Sequence, residues 1–419
     1  MAIEFAPVIS GEVEVQIESP RFFGAEGDTT QETLIVDEPL VITESEYSQL
    51  KQITRKVVNF IDSYDLQANA DKIGVNLQTL ETCADIDSYG GSTMRYGGLD
   101  LYQDPNMGFK VLEINPRVQA MGLQDFRQEY LGIRGEPQII DHFIEWTQKE
   151  GFEKVALLGS RKNPFWRSYQ RLADKLTAAE VSAIFCDSRN FIDRYRIGFR
   201  PELIVKLSNN NIFLSGEDSG ELVEIIRGNS IPVVNSLASV YYGFRGFMEK
   251  LGEVTPEILP REVIFGNSVN DEELRNYPWI KLEAAGKNYV VNYKELRKWG
   301  RDAILAIITR DYTLAESLLR DKNGGDANKI RNTIGYVREL PREEVVWIGQ
   351  SSIEPRLATL NLDGVDTELK ILHRVYWFKE SSGEIEISLE GFGATHDQFE
   401  RSKGKINAGS GVAVPMVIN

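Results

Sequence analysis

The chain is short of thiols, of imidazoles and of positive charge. Its two cysteines, Cys83 and Cys186, can build neither a disulfide framework nor a thiolate metal cage; both are expected to be buried small apolar groups. Its three histidines, His142, His373 and His396, lie far apart in the sequence, which tells against a His-activated nucleophile and against zinc hydrolysis. Lys and Arg number 47 against 63 Asp and Glu, a net charge of -16. A nucleic-acid partner needs a basic footprint, so none is expected, and the acidic excess mainly favours solubility. No apolar run approaches the roughly 18 residues of a spanning helix, and the Met1 to Pro7 stretch shows no basic segment followed by an apolar one. No membrane partner and a reduced, cytoplasmic setting are therefore expected. Repeats and low-complexity tracts are lacking too. Chemistry is left to carboxylates, lysines, arginines and a hard metal ion.

What is present reads as an α/β protein. At 419 residues with 42% hydrophobic and 26% charged composition, roughly two or three packed units are expected. Residues 1–40 mix short β-branched runs with Gly and Pro and read as an extended leader. Thr43-x-x-Glu46 has capping-box spacing and opens a helical pattern through Leu50, Ile53, Val57, Val58 and Ile61. Two strands, Gly97 to Gln103 and Phe109 to Ile114, follow around an Asp104-Pro105-Asn106 turn. From Lys154 strands and helices alternate, the rhythm of a parallel layer, over about residues 151–260. Beyond Arg261 the sequence predicts a strand pair at Trp279 to Glu283 and Tyr289 to Tyr293, helices to about Leu340, a strand at Val345 to Ile348, and a hairpin of Ile371 to Phe378 with Ile385 to Leu389.

The chemical signal is concentrated in Leu99-Asp100-Leu101 and Val111-Leu112-Glu113-Ile114-Asn115-Pro116-Arg117. Glu113 and Asn115 are two apart on a strand, so they share a face, and Asp100 on the partner strand can point the same way. Two carboxylates and an amide oxygen suit a hard cation, with magnesium the usual choice where nucleotide phosphates complete the shell. An ordinary amphipathic hairpin with a polar outer face has the same spacing.

Asp100 followed by Glu113-x-Asn115-Pro116-Arg117 resembles the metal-binding motif of the ATP-grasp superfamily, as in glutathione synthetases and other carboxylate–amine ligases. The resemblance implies that Asp100, Glu113 and Asn115 hold magnesium ions bridging the phosphates of ATP. Trp279-Ile280-Lys281 resembles the strand whose lysine contacts those phosphates, and Ala284-Ala285-Gly286-Lys287 stands where a flexible loop covers them. Val346 to Glu354 resembles the hinge that brackets adenine, with Gln350, Ser351, Ile353 and Glu354 as the contact positions. His373-Arg374-Val375 resembles the strand whose arginine reaches the phosphates, and Ile406-Asn407-Ala408-Gly409-Ser410-Gly411 the small-residue loop that ordinarily just precedes the metal hairpin. Joining the two chain ends would restore the usual order. The arrangement is thus similar to the circularly permuted group of eukaryotic glutathione synthetase and glutathionylspermidine synthetase.

In that group a catalytic arginine shortly precedes the metal aspartate; Arg95 is the candidate. The resemblance divides the chain into a leader (1–40), a metal-binding half-lobe (41–150), an inserted pre-grasp-like parallel α/β domain (151–260), a lysine lobe (261–344) and the remaining lobe with hinge, arginine strand and glycine loop (345–419). It departs from the family in the single glycine after Lys281, in Glu283 where a proline often stands, and in Ser351 at the first hinge position. The implied activity is an ADP-forming ligase that activates a carboxylate as an acyl phosphate and joins it to an amine. ATP and Mg2+ are its cofactors, a small-molecule acid and amine its substrates, and a homodimer the common assembly. Arg95, Arg117 and Arg374 are the candidate catalytic cations; for Arg117 a salt bridge to the metal carboxylates is the alternative. Phosphoryl transfer, acid–thiol ligation and a catalytically silent nucleotide-binding protein are the competing readings.

Other segments read more plainly. Gly159-Ser160-Arg161-Lys162-Asn163 can hold an anion at a helix start, although a solvated loop is the commoner form. Asn209 to Asn211 reads as a turn, Tyr241 to Phe244 as core packing, and Lys250 as an exposed helical lysine.

Overall fold

The computed structural model describes residues 12–13, 33–34, 36, 38–73, 75–116, 121–130, 138–160, 166–207, 210–260, 262–265, 279–284, 287–292, 301–319, 331, 334–335, 338, 345–350, 353, 355–362, 364–401, 406 and 412–419. The architecture is mixed α/β. The chain divides into one unit of residues 1–64, 81–243 and 355–419 and a second of 65–80 and 244–354.

Short strands β1 (Glu12–Val13) and β2 (Thr33–Leu34) pair in the first unit. Its main sheet takes β3 (Leu40–Ile42), β4 (Tyr96–Asp104) and β5 (Gly108–Asn115) from early in the sequence. From the other end of the chain come β14 (Leu357–Leu362), β15 (Val365–Lys379), β16 (Ile385–Ala394) and β17 (Val412–Ile418). The strand order is β3-β17-β16-β15-β4-β5, with β14 also paired to β15. All its pairings are antiparallel except β3 with β17. Leu40, the last residue of the expected leader, thus opens a strand of this sheet.

Directly opposite residues of an antiparallel pair share a face, and here the two faces are covered by different helices. α1 (Glu44–Ser63) starts at the capping box read in the sequence: Thr43 Oγ1 accepts from Glu46 N at 3.2 Å, and Glu46 Oε2 accepts from Thr43 N at 2.9 Å. Its buried stripe is Leu50, Ile53, Val57, Val58 and Ile61. It is docked on the face of Gln103 and His373, where Glu46 accepts from Gln103 Nε2 at 2.9 Å and Arg356 Nη1 at 2.6 Å. α4 (Ile139–Lys149) covers the other face, that of Tyr96, Tyr376 and Phe378. There Phe143 meets the edges of Tyr96 and Phe378 at ring separations of 6.0 and 6.2 Å.

That core continues into a parallel sheet in the order β7-β6-β8-β9, formed by β6 (Lys154–Leu158), β7 (Ser182–Cys186), β8 (Leu203–Lys206) and β9 (Val233–Val234). The alternation follows the sequence reading because each strand is a short apolar run bounded by polar turns. Between these strands run α5 (Trp166–Ala178), α6 (Ser188–Arg196) and α8 (Ser219–Asn229). α2 (Leu77–Tyr89), α3 (Met121–Tyr130) and the short α7 (Asn211–Leu214) fill the connections.

The second unit holds an antiparallel sheet in the order β10-β13-β11-β12. Its strands are β10 (Glu262–Phe265), β11 (Trp279–Ala284), β12 (Lys287–Asn292) and β13 (Val345–Gln350). The helices α9 (Arg245–Val254), α10 (Arg301–Ile308) and α11 (Tyr312–Leu319) belong to it. Gly246 shows how closely α9 is packed, since a Cβ there would meet the Ile73 backbone at 2.6 Å. No helix among the described residues is long and apolar enough to cross a membrane.

Candidate functional site

The registers build the site. Asp100 is opposite Glu113 on β5 and opposite Arg374 on β15; Arg374 is in turn opposite Glu390 on β16. One row across four strands therefore reads Glu113, Asp100, Arg374, Glu390, all on a single face. Asn115 is on the same face, opposite Gly98. Just past Asp100 the β4–β5 register shifts by a bulge, a device that re-aims side chains locally.

The row is held by charge. Arg374 Nε and Nη2 donate to the two oxygens of Asp100, each at 2.7 Å, the bidentate geometry that suits guanidinium and carboxylate. Asp100 is 7% exposed and Glu390 1%. Tyr376 Oη donates to Glu390 Oε2 at 2.9 Å, and the Arg374 guanidinium also lies 5.0 Å from the Phe392 ring centroid. Burial opposes the Arg374 charge, but Asp100, Tyr376 and Glu390 outweigh it and hold the guanidinium above even its ordinary range. Glu113 is exposed at the open end of the row. With three acids to one cation, the row has a formal charge of minus two.

This donor set fits a magnesium ion. Asn115 Nδ2 is buried without a hydrogen-bond partner. Amide orientation is an assignment, and the reversed amide would put an acceptor oxygen at that place. Asp100 gives one lone pair per oxygen to Arg374 and keeps a second. Among the described residues no three His, Cys, Asp or Glu gather into a metal cage. Magnesium characteristically takes one or two carboxylates and fills its shell with water and phosphate oxygens.

Glycines make the hairpin possible. A Cβ on Gly97 would strike the Trp377 ring at 2.6 Å, whereas at Gly98 it would meet Asn115 Cβ at an ordinary 3.6 Å. Gly97 therefore serves packing, and Gly98 leaves room beside Asn115.

The remaining sequence candidates fall on other elements or outside the described residues. Arg95 precedes β4; its guanidinium lies 5.2 Å from the Trp146 ring centroid and donates to the Lys379 carbonyl at 3.4 Å. It is five residues from Asp100, about 16 Å at the rise of a strand. Lys281 is on β11 opposite Val290 and Ile348, Lys287 begins β12 opposite Ala284, and Gln350 ends β13 opposite Trp279; only the backbone is described at these three. Ile353 is buried. Arg117, Ser351, Glu354 and Asn407 lie outside the described residues, as do Arg161, Lys162 and Asn163.

The sequence reading missed a second polar cluster, at the carboxyl ends of β8 and β9. Lys206, 1% exposed, donates to Asn210 Oδ1 at 2.9 Å and to the Ser236 carbonyl at 2.8 Å. Asn210 Nδ2 donates to the Leu237 carbonyl at 2.8 Å; of the expected Asn209 to Asn211 turn, Asn209 lies outside the described residues and Asn211 begins α7. Asp87 on α2 accepts from Leu237 N at 2.7 Å and Ala238 N at 3.0 Å. Burial pushes its carboxyl up to about 6 against the pull of those amides and of Lys206. Cys83 is fully buried beside Asn210 and pushed up to about 11 by that burial, an inert thiol as expected; Cys186 is half-buried. Only a buried lysine at a strand end signalled this cluster, and a single Lys in an apolar run is a weak signal.

No family model and no curated protein matches the sequence. Among solved structures the chain is similar to the apo form of a glutathione synthetase-like effector from Globodera pallida. The TM-score is 0.49 and the identity 8%, covering 94% of this chain and 92% of that one. A likeness of that degree carries no argument about this chain.

Proposed function

We propose that this protein binds ATP with magnesium, activates a substrate carboxylate as an acyl phosphate, and joins it to an amine with release of ADP and phosphate. The observation that carries the reading is that Asp100 and Glu113 are direct cross-strand partners and that Asn115, two residues beyond Glu113 on β5, shares their sheet face. Asp100 and Glu113 would hold magnesium through carboxylate oxygens and Asn115 through its amide oxygen. A bound magnesium ion neutralises phosphate charge and polarises the transferred group. Arg374, fixed between Asp100 and Glu390, is a preorganised positive charge of the kind that stabilises developing anions. The roles of Arg95, Arg117, Lys281, Lys287, Gln350, Ser351, Ile353, Glu354 and Asn407 rest on the sequence resemblance alone.

A second reading, a catalytically silent nucleotide-binding protein, is favoured by one fact: both Asp100 oxygens are already engaged by Arg374. The test is ADP release with magnesium and ATP across a panel of acids and amines. Release that requires both an acid and an amine supports ligation; release with acid alone points to phosphoryl transfer. Nucleotide binding without any turnover supports the silent reading. Once an acid substrate is found, heavy oxygen in its carboxylate is expected in the released phosphate. Label absent from phosphate, or release of AMP and pyrophosphate, excludes the acyl-phosphate route.

A further inference from the structure

We infer that Asn235 is a positioning residue for the metal-binding hairpin, clamping the start of β4 and the end of β5 to the carboxyl end of the parallel sheet. This rests on the reading of the hairpin as a magnesium site. Asn235 is 1% exposed and directly follows β9. Its Oδ1 accepts from Arg95 N at 2.9 Å and Tyr96 N at 3.2 Å; its Nδ2 donates to the Tyr96 carbonyl at 2.7 Å and the Pro116 carbonyl at 2.8 Å. One amide thus uses both oxygen lone pairs and both hydrogens, and every partner is backbone of the hairpin. The contacts fall on the residues flanking the Gly98–Asn115 pair: Tyr96 two positions before Gly98, Pro116 one after Asn115.

The clamp is itself anchored. Ser236 is held through its carbonyl by Lys206, and through its N–H by the Thr93 carbonyl at 3.1 Å. Leu237 and Ala238 are held by Asp87, and the Leu237 carbonyl by Asn210. At the end of the following 3-10 turn, Ala238–Gly243, a Cβ on Gly243 would meet the Ile114 carbonyl at 3.0 Å and Pro116 Cδ at 3.1 Å. The buried Lys206–Asp87–Asn210 cluster therefore acts on the hairpin through the segment 235–243. A buried amide must be hydrogen-bonded in any case; what is particular here is that all four bonds go to backbone flanking the proposed ligands, and supports of metal ligands are commonly worth roughly 10- to 100-fold in metal affinity.

The test is a magnesium titration of thermal stability at fixed ATP, in wild type and in Asn235→Asp. The carboxylate keeps the acceptor toward Arg95 and Tyr96 but lacks the donors to the Tyr96 and Pro116 carbonyls. The expected result is a rise of about 10-fold or more in the magnesium concentration at half-maximal stabilisation, with metal-free ATP affinity unchanged. A purely structural role would lower the melting temperature without moving that midpoint, and an unmoved midpoint overturns the assignment. If wild type itself shows no response to magnesium and ATP, the magnesium reading falls and this assignment with it. A responsive wild type with an equally responsive variant sinks the clamp alone. Should Asn235→Asp not fold, Asp87→Asn, which leaves Asn235 and the hairpin chemically intact, is expected to raise the midpoint in the same direction by less. An unchanged midpoint there equally overturns the assignment.

Discussion

Two clusters of buried charge occupy the first unit, and they are built on opposite plans. In the sheet row, Asp100 and Arg374 satisfy each other side chain to side chain through a bidentate pair. In the cluster beneath residues 235–238, Asp87 is met mainly by backbone amides and Lys206 by an amide oxygen and a carbonyl. A side-chain pair can exchange partners: a phosphate can compete for Arg374, a cation for Asp100. A carboxylate bound to backbone amides has no comparable exchange, since its partners belong to the fold. The row is therefore suited to ligand chemistry and the cluster to holding a loop. The same buried acid serves differently according to whether its partner is mobile.

The largest expected effect breaks the row. Arg374→Ala leaves Asp100 buried and unpaired, and removing one partner of a buried pair costs about 3 to 5 kcal/mol. Denaturant unfolding should show this loss, and Asp100→Asn in the same chain should recover much of it. A loss below about 1 kcal/mol would mean that water reaches Asp100 and that the pair is a surface bridge. Breaking the cluster is expected to cost less. Lys206→Met keeps the bulk of the side chain but leaves Asn210 Oδ1 without its donor, at about 1 to 3 kcal/mol for a buried group left unpaired, while the Ser236 carbonyl still accepts from Ser239 N and Oγ. A loss equal to that of Arg374→Ala would erase the distinction between the two plans. Smaller again is Thr43→Ala, which removes the cap of α1 and should cost about 1 kcal/mol.

Much of this was legible in the sequence, where the signal is local. Thr43 and Glu46 announce the start of α1, alternation announces β4, β5, β15 and β16, and buried apolar runs announce the parallel strands. The row was only half legible. Glu113 and Asn115 share a face by strand periodicity, but the pairing of Asp100 with Arg374 depends on a register between residues 274 positions apart. Asn235 was invisible for the same reason. Its partners Arg95, Tyr96 and Pro116 are 119 or more positions away, and a lone asparagine after a two-residue strand carries no pattern. Glu390 lies one residue past the strand expected to end at Leu389, and only the sheet order sets it beside Arg374. Short-range periodicity thus finds the elements, while long-range register decides which charges meet.

The smallest effect expected in the wild-type protein is also the sharpest contrast, because it comes from two opposed titrations. His373 is beside Arg374 on β15 but on the face packed by α1. Burial holds it down to about 4, with Arg356 adding to the effect and Glu46 opposing it. The unfolded chain binds its proton below about 6.5 and the folded chain does not, so stability present above that pH is lost as pH falls toward 4. Asp87 runs the other way. Its folded value near 6 is above the unfolded value, so the folded state binds the extra proton; stability present below about 4 is lost as pH rises through 6. Each integrates to about 3 kcal/mol at most, and between pH 4 and 6 their slopes largely cancel. Urea unfolding from pH 4 to 7 should separate them. The stability gap between wild type and His373→Gln is expected to narrow as pH falls. The gap between wild type and Asp87→Asn is expected to narrow as pH rises. A gap for Asp87→Asn that stays nearly flat over this range would show that Asp87 is ionised in the folded protein throughout it. Lys206 would then be a true ionic partner to it, and the cluster would be built on the same plan as the row.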